Sequence, residues 1–238
     1  MAIMLTSILP THYKDEEENY YPIALDDNNS LLSNIQKYVS RYERLVLVAN
    51  DPYNEEKSDE KLPILKESFR LSGMDFREVI ALDHRNMDRA EEILRTADII
   101  ILSGGKIICQ KEFFDKINLK QILREHKGLT IGISAGTMNL CETVANFPEE
   151  PDDLNDPRWV KGLGLHNEII IPHYDGETNE YQLGYCEIDI VNDYILPMSK
   201  GKRFLAMPNY SYILIDGKEK KYYGDMYEII DGITTKIN

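Results

Sequence analysis

The segment from Leu129 to Gly136 has the sequence LTIGISAG, a short apolar run followed by Ser134 between two glycines. Its second half fits the pattern G-x-S-x-G, in which a strand passes through a tight turn into a helix. Glycines on both sides of the turn remove side chains that would clash there. The Ala135 amide, at the start of the following helix, favours negative charge nearby. The segment therefore predicts Ser134 as an exposed nucleophile at a strand-to-helix turn.

Apolar runs on the N-terminal side of this segment alternate with stretches of helical spacing. Predicted strands cover residues 3–9, 44–49, 76–81, 98–102 and 129–133. Predicted helices cover residues 31–39, 59–72, 85–95 and 113–126, with Pro63 in the first turn of the second. Strands that are apolar on both faces and separated by helices are typical of a buried parallel sheet. The expected fold is a three-layer α/β sandwich with helices on both faces of a mostly parallel sheet.

The pattern changes after His166, where short strand-like segments follow one another with turns between them. They cover residues 169–171, 204–207, 212–215, 221–223 and 227–230. This spacing predicts antiparallel additions near the C-terminus, at one edge of the sheet. Nothing in the sequence marks a linker, so residues 1–238 are expected to form one domain.

Composition excludes several classes of protein. The chain has 41 acidic and 27 basic residues, and its formal net charge of −14 would repel nucleic acid. The sequence has no apolar stretch of membrane-spanning length and no signal-peptide pattern. Cys109, Cys141 and Cys186 are widely spaced, which suits a reducing compartment and a cytoplasmic location. Since metal-ligand spacing is also absent, no metal or other cofactor is expected.

A serine nucleophile needs a base, and the sequence offers five histidines. His173 follows the apolar run 169–171, so we expect it at the carboxyl edge of the same sheet as Ser134, where open α/β sheets bind ligands. His166 is the second candidate. His126 lies at a charged helix end, where a cation would complement the helix dipole.

The segment Ser103-Gly104-Gly105-Lys106 leaves another apolar strand at the same predicted edge. Its backbone amides could complete an oxyanion hole, or the glycines could serve only to turn the chain away from the sheet. The segment fits neither of the glycine-rich phosphate-binding patterns.

Taken in order, SGGK, GISAG and IPHYD resemble the motifs of the peptidase E family, which includes aspartyl dipeptidase and cyanophycinase. The likeness extends from about residue 97 to residue 216. It implies a fold like that of class I glutamine amidotransferase domains, with serine in place of cysteine. It also implies Ser134 as nucleophile, His173 as general base, and the Gly105 and Ala135 amides as oxyanion hole.

Two positions depart from the family pattern. Asn209 stands where the family has a glutamate as third triad member, and Asn179 stands where aspartyl dipeptidases have an arginine that binds the acidic side chain of the substrate. An amide can orient a histidine but adds no negative charge, and Asp175 or Glu177 could take the role instead. The expected activity is hydrolysis of a small peptide or related amide other than an aspartyl dipeptide. The sequence does not decide whether the chain forms a homodimer.

Three other functions compete with this one. A catalytically weak or inactive relative would bind a small ligand or a partner at the same site, and Asn209 favours it. An α/β-hydrolase esterase shares the serine motif, but there the acid is expected between the serine and the histidine. A flavodoxin-like nucleotide binder lacks support from any phosphate loop.

Overall fold

The computed structural model describes residues 2–148, 151–174 and 189–238, apart from the side chains at 151 and 152. Its main sheet has seven strands in the order β13-β12-β1-β7-β6-β4-β5. The five strands from β1 to β5 in that order are parallel, and β12 and β13 add antiparallel strands next to β1. These strands are β1 Ala2–Thr6, β4 Arg44–Val48, β5 Glu78–Leu82, β6 Ile99–Leu102, β7 Leu129–Ile133, β12 Tyr212–Asp216 and β13 Glu219–Tyr223.

A second sheet has four strands in the order β10-β11-β14-β15. Here β10 and β11 are parallel, whereas β14 and β15 are antiparallel to their neighbours. The strands are β10 Ile169–Ile171, β11 Arg203–Ala206, β14 Tyr227–Ile230 and β15 Ile233–Lys236. The predicted antiparallel strands near the C-terminus are thus confirmed, but they divide between two sheets instead of all joining one edge. Two hairpins complete the strands, β2 His12–Lys14 with β3 Tyr20–Pro22 and β8 Thr143–Ala145 with β9 Trp159–Lys161.

Helices cover both faces of the main sheet, as predicted. They are α1 Leu31–Tyr38, α2 Glu55–Leu71, α3 Ala90–Arg95, α4 Ile107–Lys116, α5 Leu119–Glu125, α6 Ala135–Leu140 and α7 Leu196–Met198, and a π-helical segment, Ile190–Ile195, leads into α7. Short 3₁₀ turns cover Asn28–Ser30, Met87–Arg89 and Pro151–Asn155. Within the described ranges, none of the helices has the length and apolar composition needed to cross a membrane.

Successive side chains along each strand point to opposite faces of the main sheet, so the sheet has a hydrophobic core on each face. In β6, Ile100 packs with α3, α4 and α5 on one face of the sheet, and Ile101 packs with α1 and α2 on the other. Both side chains are fully buried, and each such burial stabilises the fold by about 2 kcal/mol. A third cluster joins α6 to the second sheet through residues such as Met138 and Phe204. This packing brings the second sheet against the helix that begins at Ser134.

Two predicted helices differ in detail. The helix expected over 113–126 is two helices, α4 and α5, because Asn118 adopts a left-handed conformation (φ 53°) between them. Helix α2 begins at Glu55, where the Asn54 side chain caps the Lys57 amide, so Pro63 lies in the helix interior and not in its first turn. Proline at this position removes one hydrogen bond of the helix, and burial of Leu65 and Phe69 in the core helps the helix to continue past it.

Candidate active site

Ser134 lies between β7 and α6 with φ 51° and ψ −115°, a combination that is costly for a residue with a side chain. Its amide donates to the carbonyl of Thr6 on neighbouring β1, at 3.0 Å. The Thr6 amide in turn donates to Oγ1 of Thr137 in α6, at 2.9 Å. These bonds fix the strained turn and leave the Ser134 side chain half-buried at the carboxyl edge of the main sheet.

The glycine after Ser134 is required by close packing on β6. A Cβ at Gly136 would lie 2.2 Å from the carbonyl oxygen of Leu102, closer than non-bonded atoms can approach. A Cβ at Gly132 would lie 2.8 Å from Cα of Thr137. The two glycines of the motif therefore allow α6 to begin directly against the sheet.

His173 and Asn209 follow two neighbouring parallel strands of the second sheet, β10 and β11. Ile171 of β10 pairs with Ala206 of β11, and the ladder continues as the Tyr174 amide donates to the carbonyl of Met207 at 3.1 Å. The prediction that His173 lies at the carboxyl edge of the same sheet as Ser134 is therefore wrong. Because β10 pairs with β11, the histidine reaches Ser134 from the sheet packed over α6.

The three side chains form a chain of hydrogen bonds. His173 Nε2 lies 2.9 Å from Ser134 Oγ, and His173 Nδ1 lies 2.7 Å from Asn209 Oδ1. Because an amide oxygen only accepts hydrogen bonds, the proton of the neutral ring is on Nδ1. Nε2 then accepts from the serine hydroxyl, which is the arrangement that a general base requires.

Three residues at or next to this site have strained backbone conformations. Ser134 and His173 have positive φ values of 51° and 59°, and Tyr210, directly after Asn209, has φ 66°. Each such residue costs of order 1 kcal/mol or more, and persists only where its surroundings fix it. Strain of this kind occurs preferentially at functional sites.

Ser7, which the sequence reasoning missed, joins the two sheets beneath the histidine. Its hydroxyl donates to the carbonyl of Met207 at 2.9 Å and accepts from the His173 amide at 3.1 Å. The residue is completely buried just after β1. The sequence signal for this residue was its position at the carboxyl end of an apolar strand. That strand, β1, pairs with β7, so its end lies next to Ser134.

The segment 103–106 passes directly beside Ser134. A Cβ at Gly104 would lie 3.1 Å from Ser134 Cβ, and Gly105 has φ 149° with Asn50 where its own Cβ would be. Among the hydrogen bonds of the described residues, none is donated by the amides of Gly105 or Ala135. These two amides have no acceptor among the described residues, so the oxyanion hole predicted at Gly105 and Ala135 stays a prediction that their hydrogen-bonding state permits.

Two buried amide side chains, also missed from the sequence, fasten this segment to α6. Gln110 Nε2 donates to the carbonyl of Ser103, and Asn139 Nδ2 donates to Gln110 Oε1 at 3.0 Å and to the carbonyl of Ile107 at 3.1 Å. The network ties the glycine turn to the helix that carries Ser134.

The other candidate histidines are engaged elsewhere. His166 pairs with Cys141 in an isolated bridge, and its Nδ1 accepts from the Glu168 amide at 3.2 Å. His126 is buried, and desolvation lowers its pKa to about 4, so it is not the cation expected at that helix end. Asn179, Asp175, Glu177 and Cys186 lie outside the described residues. Within the described chain, no group of three His, Cys, Asp or Glu side chains could hold a metal ion.

Comparisons with known proteins identify similar folds and a family. A fold comparison finds a peptidase E candidate from Listeria monocytogenes EGD-e at 16% identity and a TM-score of 0.57, covering 100% of this chain and 98% of that one. A peptidase from an acI-B1 Actinobacterium has 14% identity and a TM-score of 0.66, covering 99% and 93%. These likenesses show a shared fold, and no curated protein sequence matches the chain. The model of peptidase family S51 matches residues 25–220, a range that includes Ser134, His173 and Asn209, and the chain therefore belongs to peptidase family S51.

Proposed function

We propose that the chain is a serine-type hydrolase of peptide or related amide bonds. The observation that carries the proposal is the hydrogen bond of 2.9 Å between Ser134 Oγ and His173 Nε2 at a strained strand-to-helix turn. Membership of a peptidase family supports the reaction class.

In the first step, Ser134 Oγ bonds to the carbonyl carbon of the substrate while its proton moves to His173 Nε2. Asn209 Oδ1 keeps accepting from Nδ1–H, so the ring stays oriented as it becomes positive. The carbonyl oxygen becomes negative, and the free amides of Gly105 and Ala135 are the proposed donors to it. One such donor lowers the activation free energy by about 3 kcal/mol in serine hydrolases.

In the second step, the tetrahedral intermediate collapses and the C–N bond breaks. The leaving amine takes the proton from His173 Nε2, and the acyl group stays on Ser134. Water then attacks the ester with His173 as base, which releases the acid and restores the Ser134 hydroxyl. The cycle needs no cofactor to balance its atoms and electrons.

Specificity for aspartyl dipeptides is not proposed. Asn179 occupies the position where the family motif of aspartyl dipeptidases has an arginine, and an amide cannot form the bidentate ion pair that an aspartyl side chain accepts from a guanidinium. The proposed substrate is a small peptide or amide with another residue at that position.

A second candidate is a relative with little or no activity that binds a small ligand at the same site. The exposed and uncharged side chain of Asn209 favours it, because an amide oxygen at Nδ1 of His173 supplies no negative charge of its own.

Kinetics on one panel of peptides, amides and esters would test the proposal. We expect wild-type turnover that is lost in Ser134→Ala and in His173→Ala. His84→Ala is the matched control, because His84 contacts Pro52 and Glu55 away from the serine. Wild-type rates equal to those of Ser134→Ala on every substrate would favour the binding protein instead.

A further inference from the structure

A cleft of about 550 Å³ opens at the carboxyl edge of the main sheet, beside the proposed nucleophile. Its size lies in the range of small-ligand sites, about 300–1,000 Å³. Apolar side chains from the sheet and from α2 line much of its wall, among them Leu65, Ile101 and Ile133. Ile133 is the residue directly before Ser134.

The cleft lies next to the proposed reaction centre. Gly104 and Ile133 line it, and a Cβ at Gly104 would lie 3.8 Å from Ser134 Oγ. The cleft is therefore close enough to hold one part of a substrate whose scissile bond lies at Ser134.

Lys61 of α2 supplies a positive charge to this cleft. Its Nζ donates to Asn50 Oδ1 at 3.0 Å, which is an uncharged partner. Among the described residues, no carboxylate oxygen lies within 4.0 Å of Lys61 Nζ, and the neighbouring Glu60, which also lines the cleft, forms no such pair. Although the residue as a whole is exposed, desolvation lowers the pKa of its ammonium, with a further contribution from the charge of Lys57. The ammonium is thus partly shielded from water.

Two other titratable groups line the cleft. Lys57 pairs with Asp51 at 3.4 Å. The pKa of His12 is lowered first by burial and then by the charges of Lys14 and Lys61, which favours its neutral form. Among the described residues that line the cleft, Lys61 is therefore the cation without a carboxylate partner. In a chain of net charge −14, it is the group that would attract an anionic ligand to this cleft.

We infer that the cleft binds a carboxylate of the substrate at Lys61, with an apolar side chain of the same substrate residue against Leu65 and Ile101. The inference rests on the proposed function in one respect, that the ligand is a peptide or amide cleaved at Ser134. A carboxylate fits better than a phosphate, because one lysine with an amide partner offers few donors and no bidentate fork.

The test compares N-acetyl-L-leucine with N-acetyl-L-leucinamide, which differ in the carboxylate alone. Binding is measured by NMR titration with the full chain carrying Ser134→Ala, so that neither probe is consumed. We expect the acid to bind about tenfold or more tightly than the amide, since a hydrogen bond to a charged group is worth roughly 1.5–3 kcal/mol. Lys61→Gln should remove the difference, and Lys61→Arg should retain part of it.

Lys66→Gln is the matched control, because Lys66 is an exposed lysine of the same helix that does not line the cleft. Equal affinity for the two probes, no binding of either, or a preference that survives Lys61→Gln would overturn the inference. Its failure is separate from failure of the proposed function. If a fluorophosphonate probe labels Ser134 but the chain does not prefer the acid, only the carboxylate site is contradicted. If the chain prefers the acid but Ser134 does not react with the probe, only the proposed hydrolase function is contradicted.

Discussion

Asn209 orients the imidazole of His173 without placing a negative charge beside it. The third member of a serine triad has two tasks, to fix the histidine tautomer and to stabilise the charge that develops on the ring. The contact of 2.7 Å between Nδ1 and Oδ1 performs the first task. Asn209 cannot perform the second task, because its amide carries no negative charge to stabilise the imidazolium, so we expect a slow hydrolase.

This argument predicts a gain of function. Asn209→Asp keeps the side-chain length and places a carboxylate at the same position, so we expect kcat to rise about 10- to 100-fold, with partial screening because the site is exposed. Asn209→Glu should also raise kcat, provided that the longer side chain does not displace His173. Steady-state kinetics on one substrate would measure both.

Asn209→Ala should lower kcat below the wild-type value, because the ring loses its orienting acceptor. Robust turnover that is unaffected by this substitution would contradict the role of Asn209. It would direct attention to Asp175 or Glu177 as the partner of His173.

The junction between the two sheets depends on one buried hydroxyl. Ser7 follows β1 of the main sheet and bonds to backbone groups on both strands of the β10–β11 pair. Because the histidine and the serine come from different sheets, their separation depends on this contact. The residue acts by positioning His173 and does not itself touch a reacting atom.

Ser7→Ala is therefore expected to lower kcat about tenfold while KM changes little, since misplacement of a catalytic group weakens the transition state more than the ground state. Ser199→Ala is a matched control. Ser199 is also completely buried and also bridges two backbone groups, the carbonyl of Leu196 and the amide of Gly232. Equal losses of kcat in the two variants would mean that Ser7 has only a structural role.

Packing of α6 on β6 makes a separate prediction about stability. Gly136→Ala should lower the free energy of unfolding by about 3 kcal/mol, because the new Cβ would collide with the Leu102 carbonyl. Gly201→Ala should cost only about 1 kcal/mol, because that glycine has positive φ but open space around it. Urea unfolding of both variants would measure the difference, and equal values would contradict the account of the turn.

Local chemistry explains which elements could be predicted from the sequence. Strands β4, β6 and β7 are continuous apolar runs, and the helices between them have clear stop signals, so the parallel sheet was predictable. The break at Asn118 has no proline or glycine to mark it. The pairing of β10 with β11 joins segments more than 30 residues apart, and a three-residue strand does not specify its partner.

The candidate site was predictable where a motif carried it. Ser134 stands in a motif with a mechanical reason for each glycine, and His173 follows a short apolar strand. By contrast, Ser7, Gln110 and Asn139 act through contacts between distant elements, and serine, glutamine and asparagine have no spacing that marks such a role.

For the molecule as a whole, buried His126 makes stability depend on pH. Desolvation lowers its pKa to about 4 from the ordinary value of 6.5, so the unfolded chain binds the proton more tightly. The stabilisation from this residue is present above pH 6.5 and is lost as the pH falls toward 4. At most about 3 kcal/mol is lost in that window. Urea unfolding at pH 7.5 and 4.5 would measure it.

His126→Leu should reduce this loss, because the substituted side chain cannot take up a proton when the chain unfolds. Smaller contributions of the same sign remain from His12 and His166, whose pKa values are also lowered. A pH dependence that is identical in His126→Leu and in the wild type would contradict the assignment.

The predicted single domain, the cytoplasmic location and the homodimer stay predictions. The match to peptidase family S51 covers residues 25–220, a range that contains Ser134, His173 and Asn209. Thr6 and Ser7, whose backbone and side-chain contacts hold the two catalytic candidates, precede that range.

The central claim is that Ser134 is a nucleophile activated by His173, and reaction with a fluorophosphonate probe tests it most directly. The serine oxygen bonds to phosphorus and fluoride leaves, so intact mass and peptide mapping identify the modified residue. We predict one adduct, on Ser134, that is absent in Ser134→Ala and strongly reduced in His173→Ala. No adduct on the wild-type chain, or one on another residue that persists in Ser134→Ala, would contradict the account.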